Sequence, residues 1–394
     1  MTGEARMPRR EFLAKGAKLA AAASAAPYLL ASPARADGGR GELGLVGADH
    51  VGITVPDINQ AIEWFEDVMG AVAPLTFGPF SDPTGTFMQD LLGVDPRAVI
   101  SQITMLRLGH SGGIELFHYD APDQRHTHPR NSDWAGHHIA FYVTDIDAAV
   151  EYMRSKGVEK FLGPFPVTGG PAAGQSINYF RTPFGTFIEL ISYPHGMAYE
   201  RDPSRPLWSP KRNGTNAEVT KVPGLLGIDH IGITVPNVAQ ASAWFQDVLG
   251  FSAPLTFGPF SDTGDFMHLL LDVDPRAVVE QITSVRGGNG PNVELFQYAA
   301  PDQDRTFRKN SDWGGKHIAF YVRHMDKAIA YMQSKGVEKL LGPLAVTEGP
   351  AAGQTINYFR TPFGTFIELI SYPKGMAYEA TASIPLWDPR DNRP

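Results

Sequence analysis

Two hydrophobic patterns alternate along the chain and predict the same order of elements more than once. Apolar residues at every second position are typical of a half-buried strand, and apolar residues three or four positions apart are typical of a helix that faces a core. In the first half of the chain these patterns predict a strand at Asp49–Val55, a helix at Ile58–Met69, strands within Ile100–Tyr119, a strand at His138–Val143, a helix at Asp147–Lys156 and a hairpin within Ile177–Tyr193. The order strand, helix, strands therefore occurs twice, which predicts two modules of one kind.

The second half of the chain repeats the first. The segment NYFRTPFGTFIELISYP stands at Asn178–Pro194 and again at Asn357–Pro373, and APLTFGPFSD stands at Ala73–Asp82 and again at Ala253–Asp262. Self-similarity at one long period indicates a duplicated structural unit. We therefore expect two domains, spanning residues 46–200 and 225–380. A stretch rich in Pro, Asn, Gly and Lys at 203–223 is interpreted as their linker.

The first 36 residues resemble an export signal of the twin-arginine type. Arg9 and Arg10 precede a mildly apolar run over Leu19–Ala31, and an A-x-A cleavage pattern ends at Ala36. The run is too short and too rich in alanine to span a bilayer, which needs about 20 predominantly apolar residues. The sequence thus predicts removal of residues 1–36 and a periplasmic or extracellular location. It predicts no stable membrane span.

Composition excludes several kinds of chemistry. The chain has 394 residues, no cysteine and a formal net charge of −8. Disulfides, zinc knuckles, iron–sulfur clusters and thiol nucleophiles are excluded, so that any metal must bind to His, Asp or Glu. Residues 1–36 hold six Lys/Arg and two Asp/Glu, and their removal would change the net charge from −8 to −12. An acidic chain of this kind is a poor partner for nucleic acid.

Four ionisable residues lie in strands that should be mostly buried: His50, Glu115, His138 and Glu189. Each points away from the aliphatic face of its strand, because side chains alternate between faces. A single such residue is most often structural, but a glutamate is almost never fully buried unless it is paired or binds a metal. The second copy carries the same set at His230, Glu294, His317 and Glu368. Two imidazoles and two carboxylates are a usual ligand set for a divalent cation, and we expect one such centre per copy.

With these motifs the chain resembles a tandem member of the vicinal oxygen chelate superfamily, which includes glyoxalase I, extradiol dioxygenases and bleomycin resistance proteins. The resemblance covers nearly all of residues 48–200 and 227–379. It implies an α+β fold in which each domain consists of two paired βαβββ modules that form an open, cup-shaped mixed sheet. It also implies that the eight residues His50, Glu115, His138, Glu189, His230, Glu294, His317 and Glu368 are metal ligands. Whether modules pair within a copy or across copies is left open.

The ligand count favours redox-neutral chemistry over oxygen chemistry. An Fe(II) oxygenase generally uses two His and one carboxylate, which leaves positions for O2 and substrate, whereas a second carboxylate is present here in both copies. We expect up to two divalent ions per chain, with Mn, Fe, Co, Ni, Zn and Mg not distinguished. The predicted reaction is proton transfer beside a carbonyl or hydroxyl of a small molecule, which gives epimerisation, isomerisation or elimination. An extradiol-type dioxygenase and a non-catalytic binding protein are the alternatives.

Roles for individual residues follow from the same resemblance. Likeness to glyoxalase I implies that Glu189, or Glu368 in the second copy, acts as the base, and that Glu115 or Glu294 returns the proton. Four residues are weaker candidates for binding the substrate: Tyr142, Arg181, Tyr321 and Arg360. Each of these has a structural alternative, an ion pair for the arginines and core packing for the tyrosines. The oligomeric state is not predicted.

Overall fold

A computed structural model of the chain describes residues 38–201, 206–212 and 220–390. The export signal predicted at residues 1–36 lies outside the described residues, as does part of the linker predicted at 203–223. No helix in the described part of the chain has the length and apolar character needed to cross a membrane.

The two copies contain the same series of strands and helices. The first copy consists of α1 (Gly38–Leu43), β1 (Leu45–Thr54), α2 (Ile58–Trp64), β2 (Val72–Phe77), α3 (Phe87–Leu92), β3 (Val99–Arg107), β4 (Gly113–Asp120), β5 (His137–Val143), α4 (Ile146–Ser155), β6 (Glu159–Lys160), β7 (Phe165–Pro166), β8 (Ser176–Arg181) and β9 (Phe187–Ser192). The second copy consists of β10 (Leu225–Thr234), α5 (Val238–Leu249), β11 (Ser252–Phe257), α6 (Phe266–Leu271), β12 (Val278–Arg286), β13 (Asn292–Ala299), β14 (Lys316–Val322), α7 (Met325–Ser334), β15 (Glu338–Lys339), β16 (Leu344–Ala345), β17 (Thr355–Arg360) and β18 (Phe366–Ser371). Short 3-10 turns lie at Ala198–Arg201, Pro210–Arg212 and Ala377–Ala380.

The first long helix shows how local sequence sets the ends of an element. The Asp57 side chain accepts hydrogen bonds from the backbone N–H groups of Asn59 and Gln60, which caps the start of α2. The helix predicted at Ile58–Met69 is helical throughout, although its last five residues form a π turn. It ends at Gly70, whose φ of 80° lies in the left-handed region that glycine adopts without strain.

The described strands form two nine-stranded mixed sheets, and each sheet contains strands from both copies. The first has the order β15-β17-β18-β14-β1-β4-β3-β2, with β16 paired to β17. The second has the order β11-β12-β13-β10-β5-β9-β8-β6, with β7 paired to β8. Each sheet therefore joins the first module of one copy to the second module of the other copy. The predicted fold class is confirmed, and the module pairing that the sequence left open is across copies.

Two antiparallel strand pairs connect the copies. Strand β1 pairs with β14, which places Gly52 opposite His317, and β10 pairs with β5, which places Gly232 opposite His138. On their outer sides these four strands make parallel pairs, β1 with β4, β14 with β18, β10 with β13 and β5 with β9. Each cup thus has four adjacent strands at its centre, two from each copy.

One hydrophobic core joins the two sheets on the side that carries the helices. It includes Val51 and Ile139 of the first copy and Ile231 and Ile318 of the second, all fully buried. These positions alternate with the polar positions predicted from strand parity, which consequently point into the concave side of each sheet. The duplicated halves are thereby packed as one body around a shared core.

Candidate metal centres

The first cup brings together His50, Glu115, His317 and Glu368. They lie on β1, β4, β14 and β18, which are the four adjacent strands at the centre of the first sheet. His50 Nε2 lies 3.2 Å from Glu115 Oε2 and 3.5 Å from Glu368 Oε2. His317 Nε2 lies 3.2 Å from Glu115 Oε2, 3.1 Å from Glu368 Oε2 and 3.4 Å from His50 Nε2. One imidazole and one carboxylate come from each copy.

The second cup repeats this arrangement with His138, Glu189, His230 and Glu294. His138 Nε2 lies 3.2 Å from Glu189 Oε2 and 3.7 Å from Glu294 Oε2. His230 Nε2 lies 3.4 Å from Glu189 Oε2, 3.2 Å from Glu294 Oε2 and 3.2 Å from His138 Nε2. The side chains of all eight residues are at most 11% exposed.

The expected grouping of ligands by copy is wrong. His50 and Glu115 do not converge with His138 and Glu189 of their own copy, because those two pairs lie in different sheets. The carboxyl-terminal module of the other copy completes each cup instead. The eight residues were thus identified correctly as members of two four-residue clusters, but each cluster takes two residues from each copy.

The geometry of both clusters fits a bound divalent cation. The ligand atoms of each cluster all lie within 4.8 Å of one another, and the distances from imidazole to carboxylate run from 3.1 to 3.7 Å, so one cation can contact all four at the usual metal–ligand distance of about 2 Å after small shifts. The Oε2 atoms of Glu115, Glu189 and Glu368 are buried and make no hydrogen bond of acceptable geometry. Buried carboxylate oxygens without donors are costly unless a cation binds them. The two clusters are therefore candidate metal centres.

Each centre has a hydrogen-bonded carboxylate behind one of its histidines. Asp49 Oδ1 lies 2.8 Å from His50 Nδ1, and its other oxygen accepts a 2.5 Å hydrogen bond from the Tyr372 hydroxyl. This contact fixes the proton on Nδ1, which leaves the Nε2 lone pair directed at the centre. Asp229, His230 and Tyr193 form the same chain at the second centre. These partners were not predicted from the sequence, although the repeated Asp-His dipeptide and the repeated I-S-Y-P segment carry them.

Burial and charge act in opposite directions on the histidines of each centre. Burial alone would lower the pKa of His50, but the charge of Glu115 and the hydrogen bond to Asp49 raise it well above its usual value. His230 behaves in the same way beside Glu294 and Asp229. Burial would raise the pKa of Glu189, but the imidazoles of His138 and His230 lower it to about 2. Protons thus occupy the imidazoles of His50 and His230 when no cation is bound, and uptake of a metal displaces them.

The second centre opens into a small apolar cavity of about 70 Å³. Glu189, His230 and Glu294 contribute polar atoms to it, together with Tyr179, which faces Glu189 across the β8–β9 pair. Apart from Gln175 and Gly169, the rest of the lining is aliphatic or aromatic and comes from both copies, including Phe165, Ile177, Phe257, Phe260, Leu270, Leu271, Ile282 and Phe296. A ligand in this cavity would be held in a low-dielectric environment beside the two carboxylates.

The two arginines predicted as weak substrate contacts have different surroundings. Arg181 pairs with Asp272 of the other copy and lies over the ring of Phe187. Arg360 has Gly93 at the position equivalent to Asp272, and its nearest acidic group is Glu338 Oε1 at 3.5 Å. Arg360 lines a separate, open cleft of about 750 Å³. Neither guanidinium is brought to the four-residue clusters, so that their role toward a substrate stays a prediction.

The two tyrosines predicted on the ligand face lie behind the centres. Tyr142 packs edge to face on Tyr193 at a ring separation of 4.8 Å, and Tyr321 packs in the same way on Tyr372 at 4.9 Å. Burial, with the charge of Asp229, raises the pKa of Tyr142 to about 12. Both rings therefore support the tyrosines that hold Asp229 and Asp49, and a contact of Tyr142 or Tyr321 with a substrate stays a prediction.

Comparison with known proteins identifies the class. A family model for the glyoxalase/bleomycin resistance protein/dioxygenase superfamily matches residues 49–179 and 229–358. The chain belongs to this superfamily, once in each copy of the repeat. The tandem layout predicted from the sequence is thereby confirmed.

Individual relatives give more detail. The chain is 46% identical over 174 residues to a 2-epi-5-epi-valiolone epimerase from an Actinomyces species, and the match spans 44% of this chain and 93% of that protein. It is 33% identical over 85 residues to the uncharacterised protein YwkD of Bacillus subtilis, across 22% of this chain and 62% of that protein. The solved structure of a candidate dioxygenase from Bacillus subtilis matches with a TM-score of 0.51 at 13% identity, across 88% of this chain and 93% of that one, which shows a shared fold.

Proposed function

We propose that the protein is a divalent-metal-dependent epimerase that acts at the carbon beside the carbonyl of a small hydroxylated ketone. One observation carries this proposal. The two glutamates of each centre stand on the outer strands of the central four, and the two histidines stand on the inner strands between them. Two carboxylates on either side of one ligand site suit removal of a proton from one face of a carbon and its return to the other face.

The resemblance to a named epimerase supports the same conclusion. That relative matches across nearly its whole length, and its name gives 2-epi-5-epi-valiolone as the compound that it epimerises. A divalent cation bound by the two His and two Glu would supply Lewis acidity, which lowers the pKa of the C–H beside a carbonyl. The chain's own contribution is to place a carboxylate oxygen at that C–H and to exclude water from it through the apolar lining.

Proton movement is assigned to the glutamates. We assign removal of the proton to Glu189 in the second centre and to Glu368 in the first, and its return to Glu294 and Glu115 respectively. The tyrosine that faces the assigned base in each cup, Tyr179 or Tyr358, is buried beside it. Asp229 and Asp49 orient the imidazoles and do not exchange protons with the substrate in this scheme.

Solvent exchange gives the direct test. The metal-loaded protein would be incubated in D2O without oxygen with 2-epi-5-epi-valiolone as the first probe, and NMR would follow deuterium at the carbon beside the carbonyl. We expect deuterium incorporation with epimerisation, and loss of both in the double variant Glu189→Gln, Glu368→Gln. The matched control is Glu159→Gln with Glu338→Gln, which alters exposed glutamates on β6 and β15 and should leave exchange unchanged.

Three results would contradict the proposal. Full exchange in the Glu189 and Glu368 double variant would refute the assigned bases. Turnover only in the presence of oxygen would instead favour the dioxygenase alternative. Metal uptake without turnover of a panel of hydroxylated ketones would favour a binding protein.

Export through a twin-arginine signal remains a prediction, for which amino-terminal sequencing of the protein from its native cell is the test.

A further inference from the structure

A second polar site lies on the opposite side of the sheet from the metal centres. Lys316 immediately precedes the metal-centre residue His317 on β14, and strand alternation directs its side chain to the other face. There it contributes to a small cavity between the two copies, lined by Trp134, Ala135, Phe307, Arg308, Lys316, Gly364 and Thr365. The space open to the centre of a water molecule is about 10 Å³, which holds one water-sized occupant.

The cavity is positively charged. Arg308 has a side chain that is only 6% exposed, and its Nε and Nη1 atoms are buried without a hydrogen-bond partner. Lys316 is also buried, and its Nζ donates one hydrogen bond, 2.8 Å long, to the carbonyl oxygen of Ala135. No lining residue carries a carboxylate. Burial and the charge of Arg308 lower the pKa of Lys316 to about 7, so the Arg308 guanidinium is the fixed positive charge of this cavity. Its unused donors are costly unless a negative charge accepts from them.

No carboxylate contacts the unused donors of Arg308. Asp304 Oδ2 lies 3.9 Å from Arg308 Nη2 and 3.4 Å from Arg125 Nη1, and Asp312 and Asp133 act on Arg308 through their charge at longer range. The unused donors of Arg308 are Nε and Nη1, which Asp304 does not contact. A ligand that satisfies them must therefore enter the cavity itself.

The equivalent site in the other half of the molecule lacks both basic residues. The equivalent positions there carry Pro129 in place of Arg308 and His137 in place of Lys316. Pro129 fills the space beside Gly314, where an added Cβ would approach its Cδ to 2.7 Å. The charged cavity thus belongs to one half of a duplicated structure, which is not expected if it were only a requirement of the shared fold.

We propose that this cavity is a binding site for a single small monovalent anion of the halide type, with chloride as its occupant. A halide has no protons, accepts several hydrogen bonds and is close to water in size, which suits a cavity that holds one water and is lined by the Arg308 guanidinium and the Lys316 amine. Sulfate or phosphate would require several times that space. Because the site joins Ala135 of the first copy to Lys316 of the second, its occupation strengthens the contact between copies.

The test uses the full chain at fixed ionic strength, with sodium chloride replaced stepwise by sodium gluconate. A ligand that binds only the folded state raises Tm with its concentration, here by about 2 °C per tenfold rise once the site is half filled. We expect this rise for chloride and bromide and its loss in Arg308→Gln. The control Lys309→Gln alters the neighbouring, partly exposed residue and should keep the rise.

A second measurement does not depend on any variant. Crystals of the unmodified protein soaked in sodium bromide should give an anomalous peak between the Arg308 and Lys316 side chains, with no peak at the equivalent Pro129 and His137 position. Equal Tm in chloride and gluconate together with no bromide peak in the cavity would overturn the proposal. A peak only at exposed lysines, or a chloride effect retained in Arg308→Gln, would overturn it as well.

Discussion

Gly52 lies directly opposite His317 in the antiparallel pair that joins the two copies, and the imidazole occupies the space where a side chain at residue 52 would begin. A Cβ atom added to Gly52 would lie 1.9 Å from His317 Cε1, which is much shorter than any real contact distance between non-bonded carbon atoms. Gly232 and His138 have the same relationship in the second cup. Glycine is needed at these positions because the ligand ring of one copy covers the backbone of the other.

The variant Gly52→Ala should therefore remove metal from the first centre. The added methyl group forces His317 to another rotamer, and a chain with two ions is expected to retain one. Elemental analysis of the purified variant gives the number of ions per chain. The control Gly113→Ala lies on β4, where the added Cβ would meet His50 Cβ at an ordinary 3.4 Å, and it should keep both ions. Two ions in Gly52→Ala would show that the ring can move without loss of binding.

Histidine pairs provide a test of the pairing across copies. His50→Ala with His317→Ala removes both imidazoles of one centre, so we expect one tightly held ion per chain and one empty centre. His50→Ala with His138→Ala removes one imidazole from each centre, so both ions should be weakened. Chelator competition followed by elemental analysis separates these cases. The reverse outcome, one retained ion in the second variant and two weakened ions in the first, would mean that ligands group within a copy.

The aspartate behind the ligand histidine should tune the affinity of the centre. Loss of a hydrogen-bonded carboxylate behind a ligand typically weakens metal binding about 10- to 100-fold. We expect such a decrease for Asp49→Asn in a chain whose second centre is removed by H138A and H230A. Competition with a fluorescent chelator measures the dissociation constant. Asp229→Asn in the same background is the control, because its partner His230 is already absent, and an equal effect there would point to general destabilisation.

Acid sensitivity should depend on His128. Burial lowers the pKa of His128 from 6.5 to about 4, with further lowering from the charges of Arg308 and Arg181. The unfolded chain therefore binds this proton near pH 6.5 and the folded chain only near pH 4, so that stability is lost as the pH falls through this range. His128 stacks on Trp313 as Phe307 stacks on Trp134, which makes phenylalanine a natural replacement.

We expect His128→Phe to show a smaller decrease in Tm between pH 7.5 and pH 5 than the parent chain. Phe307→His places the same ring at the corresponding position of the second copy, which is more exposed, and should enlarge that decrease by a smaller amount. Thermal unfolding at both pH values, in one buffer system of constant ionic strength, provides the comparison. An unchanged decrease in His128→Phe would assign the acid sensitivity to other groups.

Strand parity and the repeat identified the eight residues of the two clusters, but the sequence could not assign them to cups. The motifs that carry them are nearly identical in the two copies, DHVGITV against DHIGITV, so each first strand fits either partner equally well in local terms. The choice depends on how the connections between modules span the molecule, which is a property of the tertiary structure.

The contacts of Asp49 and Asp229 with the ligand histidines were not predicted, for a more local reason. Regular alternation places Asp49 on the opposite face from His50, but the pairing of β1 with β14 shifts register between Ala48 and His50. The same shift occurs between Ile228 and His230. The irregularity turns each aspartate toward the neighbouring imidazole. The alternation of apolar and polar residues along the strand does not predict such a register shift.

The exchange of modules between the two sheets also has a consequence for the gene. Deletion of either copy would leave no complete cup within one chain, because each cup takes one module from each copy. In a duplicated enzyme the sequence of one copy often diverges while the other copy keeps the activity. Here every mutation in a module alters a cup to which the other copy also contributes residues. Selection on either cup therefore acts on the sequences of both copies at once.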